Sequence, residues 1–191
     1  MADDPAFARL VSLACHDLRT PLATVYGFAR TLSRGGELED PQARYVGMIE
    51  AASGQMGELL DQLGVVARIE SNRYEPALRE ADTLALAQAA AERVGESVGV
   101  SGEGAALETD VESVETALAS LALCAVRHGG VPHVDIAVAG REFAIAPIAE
   151  AAGPIILGEE LRDLGAAVAV RTVSALGGSV SLDGETLRIV L

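Results

Sequence analysis

Apolar residues recur at alternating steps of four and three along the first third of the chain. They are Phe7, Val11, Ala14, Leu18, Pro21, Val25, Phe28 and Leu32. This spacing predicts one long helix over residues 5–34 that packs along this row inside a bundle. Asp4 followed by Pro5 is a typical helix start, and Gly35-Gly36 ends the helix.

A second helix follows, because Asp40-Pro41 repeats the same start signal. Its apolar row is Tyr45, Ile49, Ala52, Met56, Leu59, Leu63 and Val66. Two long helices joined by a short loop predict an antiparallel hairpin. Met48 and Leu60 make the second row too wide for one partner helix, so we predict that two hairpins pair into a homodimeric four-helix bundle.

The pattern changes near residues 71–73, and we place a domain boundary there, with one domain over 1–72 and a second over 73–191. In its first half, the second domain is predicted to contain a strand at 74–78, a helix from the Asp82 cap to Val94, a glycine-rich loop at 95–104 and a strand at 105–108. A helix then runs from the Thr109–Glu112 capping box to His128. Strands at 133–138 and 143–145 follow, then a helix at 159–176 and a hairpin of 179–182 with 186–190 that turns at Asp183-Gly184. Helices interleaved with a mixed sheet predict a two-layer α/β sandwich. The fold class is therefore α+β: a helical hairpin followed by this sandwich.

Reactive side chains cluster within the first helix. If Val11 is an a position of the heptad, His16 falls at f, on the solvent side. Asp17 is its neighbour, and Thr20 lies one turn further along the same face. Pro21 removes the amide hydrogen that would bond back to Asp17, which predicts a kink just past the histidine.

The run from His16 to Leu22 resembles the phospho-acceptor box of sensor histidine kinases, His-(Glu/Asp)-Leu-(Arg/Lys)-(Thr/Asn)-Pro-Leu, at every position. The resemblance implies that His16 is the phospho-acceptor and that Asp17 orients and activates it. It also implies that Thr20 aligns a water molecule for phosphatase attack on a receiver's phospho-aspartate. The alternative for Thr20 is a hydroxyl that bonds back along its own helix.

Residues 1–34 carry a net charge of +1, whereas the whole chain carries −14. A slightly basic first helix suits an approach to the acidic phosphorylation pocket of a response-regulator receiver. Arg9, Arg19 and Leu22 are the predicted receiver contacts, although the arginines have the alternative role of keeping a helix face solvated.

The order of elements after residue 73 resembles the GHKL-type ATP-binding domain of the same kinases, and residues 163–178 resemble that domain's glycine-containing final helix. Three family residues are replaced: Cys124 stands at the Asn that binds Mg²⁺, Pro147 at the Asp that accepts the adenine amino group, and Asp163 at a glycine of the phosphate loop, where Gly165 remains. The segment that forms the ATP lid is also short. A thiol is a poor ligand for Mg²⁺, and proline cannot accept a hydrogen bond through a side chain, so we expect that ATP is not bound.

Amino-acid composition and net charge argue against some classes of binding partner. All 14 cationic residues are arginines, and the net charge of −14 argues against nucleic acid and anionic membrane. No apolar run is long enough for a membrane span, and Cys15 and Cys124 lack metal-site spacing, which favours a reducing, cytoplasmic location. His128 and His133 flank a glycine turn without a third ligand beside them, so no metal site is expected.

These observations predict a histidine phosphotransferase in which His16 exchanges phosphoryl groups with receiver aspartates. The expected partners are receivers, an upstream hybrid kinase as a candidate donor, and a second copy of the chain. The receiver would supply Mg²⁺, and this chain would bind no cofactor. Two alternatives stay open: an ATP-dependent histidine kinase with unusual ligands, and a non-catalytic module that docks receivers.

Overall fold

Two compact units divide the chain in a computed structural model, which describes residues 5–35 and 40–191 and omits the side chains of 5–7, 9, 10 and 40. The first unit ends at Arg73 and the second begins at Tyr74. Within the described residues, none of the helices combines the length and the apolar character that a membrane crossing requires. Asp4 and Asp40 as helix caps, Gly36 as a helix end and the side chain of Arg9 lie outside the described part.

The first unit is a helical hairpin. Helix α1 spans Pro5–Arg34 and runs through Pro21 as a single helix, and α2 spans Asp40–Glu70. The Gly35 amide closes α1 by donating to the carbonyl oxygens of Thr31 and Leu32, at 3.1 and 3.2 Å. Both predicted helices are therefore confirmed.

The rows along which these two helices pack are shifted by one position along the sequence from the predicted rows. Buried or partly buried positions that recur every seven residues are Ala8, Cys15, Leu22 and Ala29 on α1, and Val46, Ser53, Leu60 and Ala67 on α2. Most of these side chains are small, which lets two helices approach closely. Of the predicted rows, Val11, Leu63 and Val66 are also partly buried. The larger residues that we assigned to the packed rows, such as Leu18, Phe28 and Met56, lie exposed beside the contact.

The second unit is a two-layer α/β sandwich, as predicted. Its elements are β1 (Leu78–Asp82), α3 (Thr83–Val94), β2 (Val98–Gly104), β3 (Ala106–Asp110), α4 (Val111–Gly129), β4 (Val134–Gly140), β5 (Glu142–Ala146), a 3₁₀ turn (Glu150–Ala152), α5 (Gly153–Ile156), α6 (Leu164–Ala175), β6 (Ser179–Asp183) and β7 (Thr186–Val190).

One sheet has five strands in the order β2-β4-β5-β7-β6, with β2 and β4 parallel and the other pairs antiparallel. Strands β1 and β3 form a separate antiparallel pair. Helix α4 packs against both α3 and α6. Alternate sheet residues are buried with these helices in one core, whose largest members include Phe143, Ile136, Leu118 and Leu121.

Residues 95–104 correct the sequence analysis, because β2 occupies most of the predicted loop. Its glycines do not form a turn; they let the backbone of β2 lie close to neighbouring atoms. A Cβ at Gly102 would overlap the Val138 carbonyl oxygen of the paired strand, and one at Gly104 would overlap the Asp82 carboxylate that caps α3. Glycine content alone therefore misidentified an edge strand.

Several element boundaries also differ from the prediction. The first strand begins at Leu78 rather than Tyr74. Asp110 rather than Thr109 caps α4, since its carboxylate accepts the Ser113 amide at 3.1 Å while Thr109 is buried in β3. Helix α6 starts at Leu164 rather than Glu159, because Asp163 caps it. Strand β6 includes Asp183, so the turn of the last hairpin is Gly184-Glu185.

Candidate functional site

His16 lies on the solvent face of α1, with 78% of its side chain exposed. Its Nδ1 lies 3.2 Å from Oδ1 of Asp17, the next residue in the chain. When Nδ1 carries the ring hydrogen and donates it to this carboxylate, the lone pair is on Nε2. Nε2 has no hydrogen-bond partner among the described residues. In this arrangement the nucleophilic Nε2 is open to solvent, while the Asp17 carboxylate holds Nδ1 in place.

An open groove of about 570 Å³ lies along the same face of α1, lined by His16, Arg19, Thr20, Ala23 and Thr24. The Thr20 carbonyl oxygen accepts the Thr24 hydroxyl at 3.1 Å. The Thr20 hydroxyl itself makes no hydrogen bond within the described part of the chain. It is Thr24 and Thr31 that bond back along the helix, and Thr20 keeps its hydroxyl available beside His16.

The three predicted receiver contacts fall in different surroundings. Arg19 donates from Nη2 to Oδ1 of Asp61 on α2 at 2.6 Å, in an ion pair whose two side chains are 49% and 69% exposed. Leu22 is partly buried in the hairpin contact. The side chain of Arg9 lies outside the described residues. Sequence reasoning missed Asp61, which no motif singles out because it depends on the register of the two helices.

A broad apolar face adjoins this groove on the hairpin. An apolar depression of about 420 Å³ is lined by residues of both helices: Leu18, Pro21, Leu22, Val25, Met56, Leu59 and Leu60. Phe28, Tyr45 and Met48 extend the face and are 68%, 63% and 60% exposed. An exposed apolar patch of this kind marks an interaction surface.

In the second unit, three donor side chains meet between α4 and α6. Cys124 and His128 are one helical turn apart on α4, and Asp163 caps α6. The Cys124 Sγ, a ring nitrogen of His128 and a carboxylate oxygen of Asp163 all lie within 4.8 Å of one another. The Asp163 Oδ1 accepts the Ala166 amide at 3.0 Å, and its Oδ2 lies 3.1 Å from the His128 Nε2.

Burial favours the protonated form of the Cys124 thiol. Cys124 is fully buried, and this burial raises the pKa of its thiol to about 12. The Asp163 carboxylate raises the pKa further, whereas the guanidinium of Arg127 opposes the change. The sequence analysis considered His128 with His133 and missed the pairing of His128 with Cys124 and Asp163.

These residues fit a magnesium nucleotide poorly. The position that the resemblance assigns to the magnesium-binding Asn holds the buried Cys124 thiol, and Pro147 follows β5 where an adenine acceptor is expected. The Asp163 carboxylate already occupies the N-terminus of α6, where helix amides would otherwise bind a phosphate. Only turns connect α5 to α6.

A known family model matches most of the first unit. Residues 8–72 match the model of the His Kinase A (phospho-acceptor) domain, which covers the hairpin and contains His16. A search of the curated proteins gives no significant match.

Comparison with solved structures shows which known folds the chain resembles. Full-length ShkA in complex with AMPPNP superposes with a TM-score of 0.70 at 22% identity, over 95% of this chain and 44% of that one. The chain therefore spans less than half the length of ShkA. The histidine kinase AdeS of Acinetobacter baumannii superposes with a TM-score of 0.56 at 14% identity, over 91% of this chain and 94% of that one. At these identities the likeness shows the fold.

Proposed function

We propose that this chain, whose residues 8–72 match the His Kinase A (phospho-acceptor) domain model, works as a histidine phosphotransferase of a two-component system. His16 accepts a phosphoryl group from the aspartate of one response-regulator receiver and donates it to the aspartate of another. An upstream hybrid kinase is the candidate source of the first phosphorylated receiver. The two free cysteines fit a reducing cytoplasm.

The transfer step needs only groups that the two proteins bring together. The Nε2 of His16 attacks the phosphorus of the aspartyl phosphate, an N–P bond forms, and the P–O bond to the receiver aspartate breaks. The aspartate leaves as a carboxylate, and a Mg²⁺ ion held by the receiver would supply charge neutralisation for the transferring group. Asp17 accepts the hydrogen on Nδ1, which holds the ring in one tautomer and stabilises the positive charge that develops on it.

One observation carries the proposal over an ATP-dependent kinase. The phospho-acceptor side of the molecule is intact, with an exposed imidazole paired to Asp17, whereas the second unit holds a buried thiol and a capping carboxylate where a magnesium nucleotide would need polar ligands and free amides. We infer that ATP is not bound and that phosphoryl groups reach His16 from receivers. The transfer then uses no cofactor held by this chain.

A second activity is favoured by Thr20, which lines the same groove as His16. We propose that it also aligns water for in-line hydrolysis of a receiver's phospho-aspartate. Threonine can do this because its hydroxyl both accepts and donates a hydrogen bond.

We also propose that the chain is a homodimer. The large apolar residues of α1 and α2 that lie outside the hairpin contact form one face, and a second hairpin covers such a face in a four-helix bundle. Pairing through this face leaves His16 at solvent, because the imidazole lies on the polar groove of α1.

The testing experiment follows labelled phosphate between two receivers. Wild-type chain should move label from a phosphorylated donor receiver to an acceptor receiver in Mg²⁺ without nucleotide. His16→Gln should abolish transfer, and His133→Gln, which alters an exposed histidine of the second unit, should leave it unchanged. Label reaching the chain from Mg²⁺-ATP would favour the kinase, and neither transfer nor hydrolysis would favour a docking module.

A further inference from the structure

The cluster of Cys124, His128 and Asp163 has the composition of a transition-metal site. Its donors are a thiol, an imidazole and a carboxylate, brought together by one turn of α4 and the first residue before α6. Thiolate and imidazole favour Zn²⁺ over the hard cations Mg²⁺ and Ca²⁺, which prefer oxygen ligands. A thiolate and a carboxylate together also balance the charge of a divalent ion.

The spacing of the donors is close to that of a tetrahedral zinc site. Zinc bonds of about 2.0–2.3 Å place ligand atoms roughly 3.3–3.7 Å apart in a tetrahedron. The Nε2 of His128 and Oδ2 of Asp163 are already 3.1 Å apart, and the three donor atoms lie within 4.8 Å of one another. The widest of these separations is at most 4.8 Å, so an approach of about 1 Å brings the three donor atoms to tetrahedral spacing.

The surroundings also suit a bound ion. Asp163 uses Oδ1 to cap α6, so the carboxylate is held in place while Oδ2 faces the other donors. Its side chain is only 7% exposed, whereas that of His128 is 24% exposed and gives access from solvent. Arg127, whose Nη1 lies 3.5 Å from Oδ2, is 60% exposed and can turn away when a cation enters.

We propose that this cluster binds one Zn²⁺ through the Sγ of Cys124, the Nε2 of His128 and the Oδ2 of Asp163, with water as the fourth ligand. Binding forms an S–Zn bond and releases the thiol proton to solvent. The ion would link α4 to α6 inside the second unit. The proposal is independent of phosphotransfer at His16, and it departs from the sequence prediction that no metal is bound.

The test is a cobalt titration of the tag-free full chain, since Co²⁺ reports thiolate ligation and tetrahedral geometry through its absorption. We expect one equivalent of Co²⁺ to give a thiolate-to-metal charge-transfer band and tetrahedral visible bands, both removed by one equivalent of Zn²⁺ and unaffected by Mg²⁺. The thermal midpoint of the second unit should rise with Zn²⁺.

Two variants and two matched controls separate ligation from folding. Cys124→Ala should remove the charge-transfer band, and Asp163→Asn, which keeps a capping side chain, should weaken binding while the circular dichroism spectrum is retained. Cys15→Ala and His133→Gln, which alter the other buried cysteine and an exposed histidine, should bind as the wild type does. Absence of one-equivalent binding, or a charge-transfer band that persists in Cys124→Ala, would overturn the proposal.

Discussion

Replacing Phe28 by alanine should weaken the proposed dimer strongly while sparing the hairpin. The phenyl ring is 68% exposed in the single chain, so it contributes little to packing of α1 on α2. Burying a whole phenylalanine side chain stabilises by about 1.5–3 kcal/mol, and the exposed part corresponds to about 1–2 kcal/mol. In a two-fold dimer each contact occurs twice, which gives about 2–4 kcal/mol for the pair of substitutions.

Each 1.4 kcal/mol corresponds to a tenfold change, so this loss raises the dimer dissociation constant by about 30-fold or more. Sedimentation velocity over a concentration series measures the constant directly. Leu161→Ala is the matched control, since Leu161 is 74% exposed but lies in the second unit. A wild-type chain that stays monomeric, or a dimer as strong in Phe28→Ala as in Leu161→Ala, would refute the assignment of this face.

Further substitutions test the site and the second unit. Asp17→Asn should slow phosphotransfer by about 100-fold, measured as label reaching the acceptor receiver, because the His16 ring loses its negatively charged partner; an unchanged rate would count against that role. Thr20→Ala should reduce hydrolysis of the phosphorylated receiver and leave transfer intact; equal losses in both assays would instead indicate damage to docking. Asp82→Ala should lower the free energy of unfolding by about 0.5–2 kcal/mol in urea melts, since its carboxylate caps α3 by accepting the amides of Leu84 and Ala85; an unchanged midpoint would contradict the cap. Burial raises the pKa of Cys124 to about 12, so the metal-free protein should lose stability as the pH rises from about 9 towards 12. Cys124→Ala should reduce this loss, and stability-against-pH curves that run parallel for the variant and the wild type would contradict the prediction.

The hairpin shows what an apolar pattern can establish. Helical periodicity predicted both helices, because large apolar side chains at alternating steps of four and three residues are typical of an amphipathic helix. It did not identify the contact between them, which uses Ala8, Cys15, Ala29 and Ala67. Periodicity of large apolar residues identifies the face of each helix that exposes the most apolar surface. The contact between two closely packed helices instead favours small residues, which this periodicity does not detect.

The second unit shows a different limit. Alternation predicted β4, its pairing across Gly140 predicted β5, and a capping residue predicted α3, because these signals are local. Strand β2 depends on its pairing with β4, and its glycines reflect close approach to that neighbour. No local pattern carries such information.

The candidate sites divide in the same way. His16, Asp17 and Thr20 form a contiguous motif on one helix face, so sequence alone could identify them. Asp61 and the grouping of Asp163 with Cys124 depend on tertiary packing between helices. Chain separation of 42 residues between Arg19 and Asp61 leaves no motif to detect.

The most direct measurement is the site and source of phosphate on this chain. The chain is incubated with a phosphorylated receiver, or separately with Mg²⁺-ATP, and phosphohistidine is located by mass spectrometry under conditions that preserve the N–P bond. We expect phosphate on His16 from the receiver and none from ATP. Phosphate on His16 from ATP, or a receiver that leaves His16 unmodified, would contradict the proposed function.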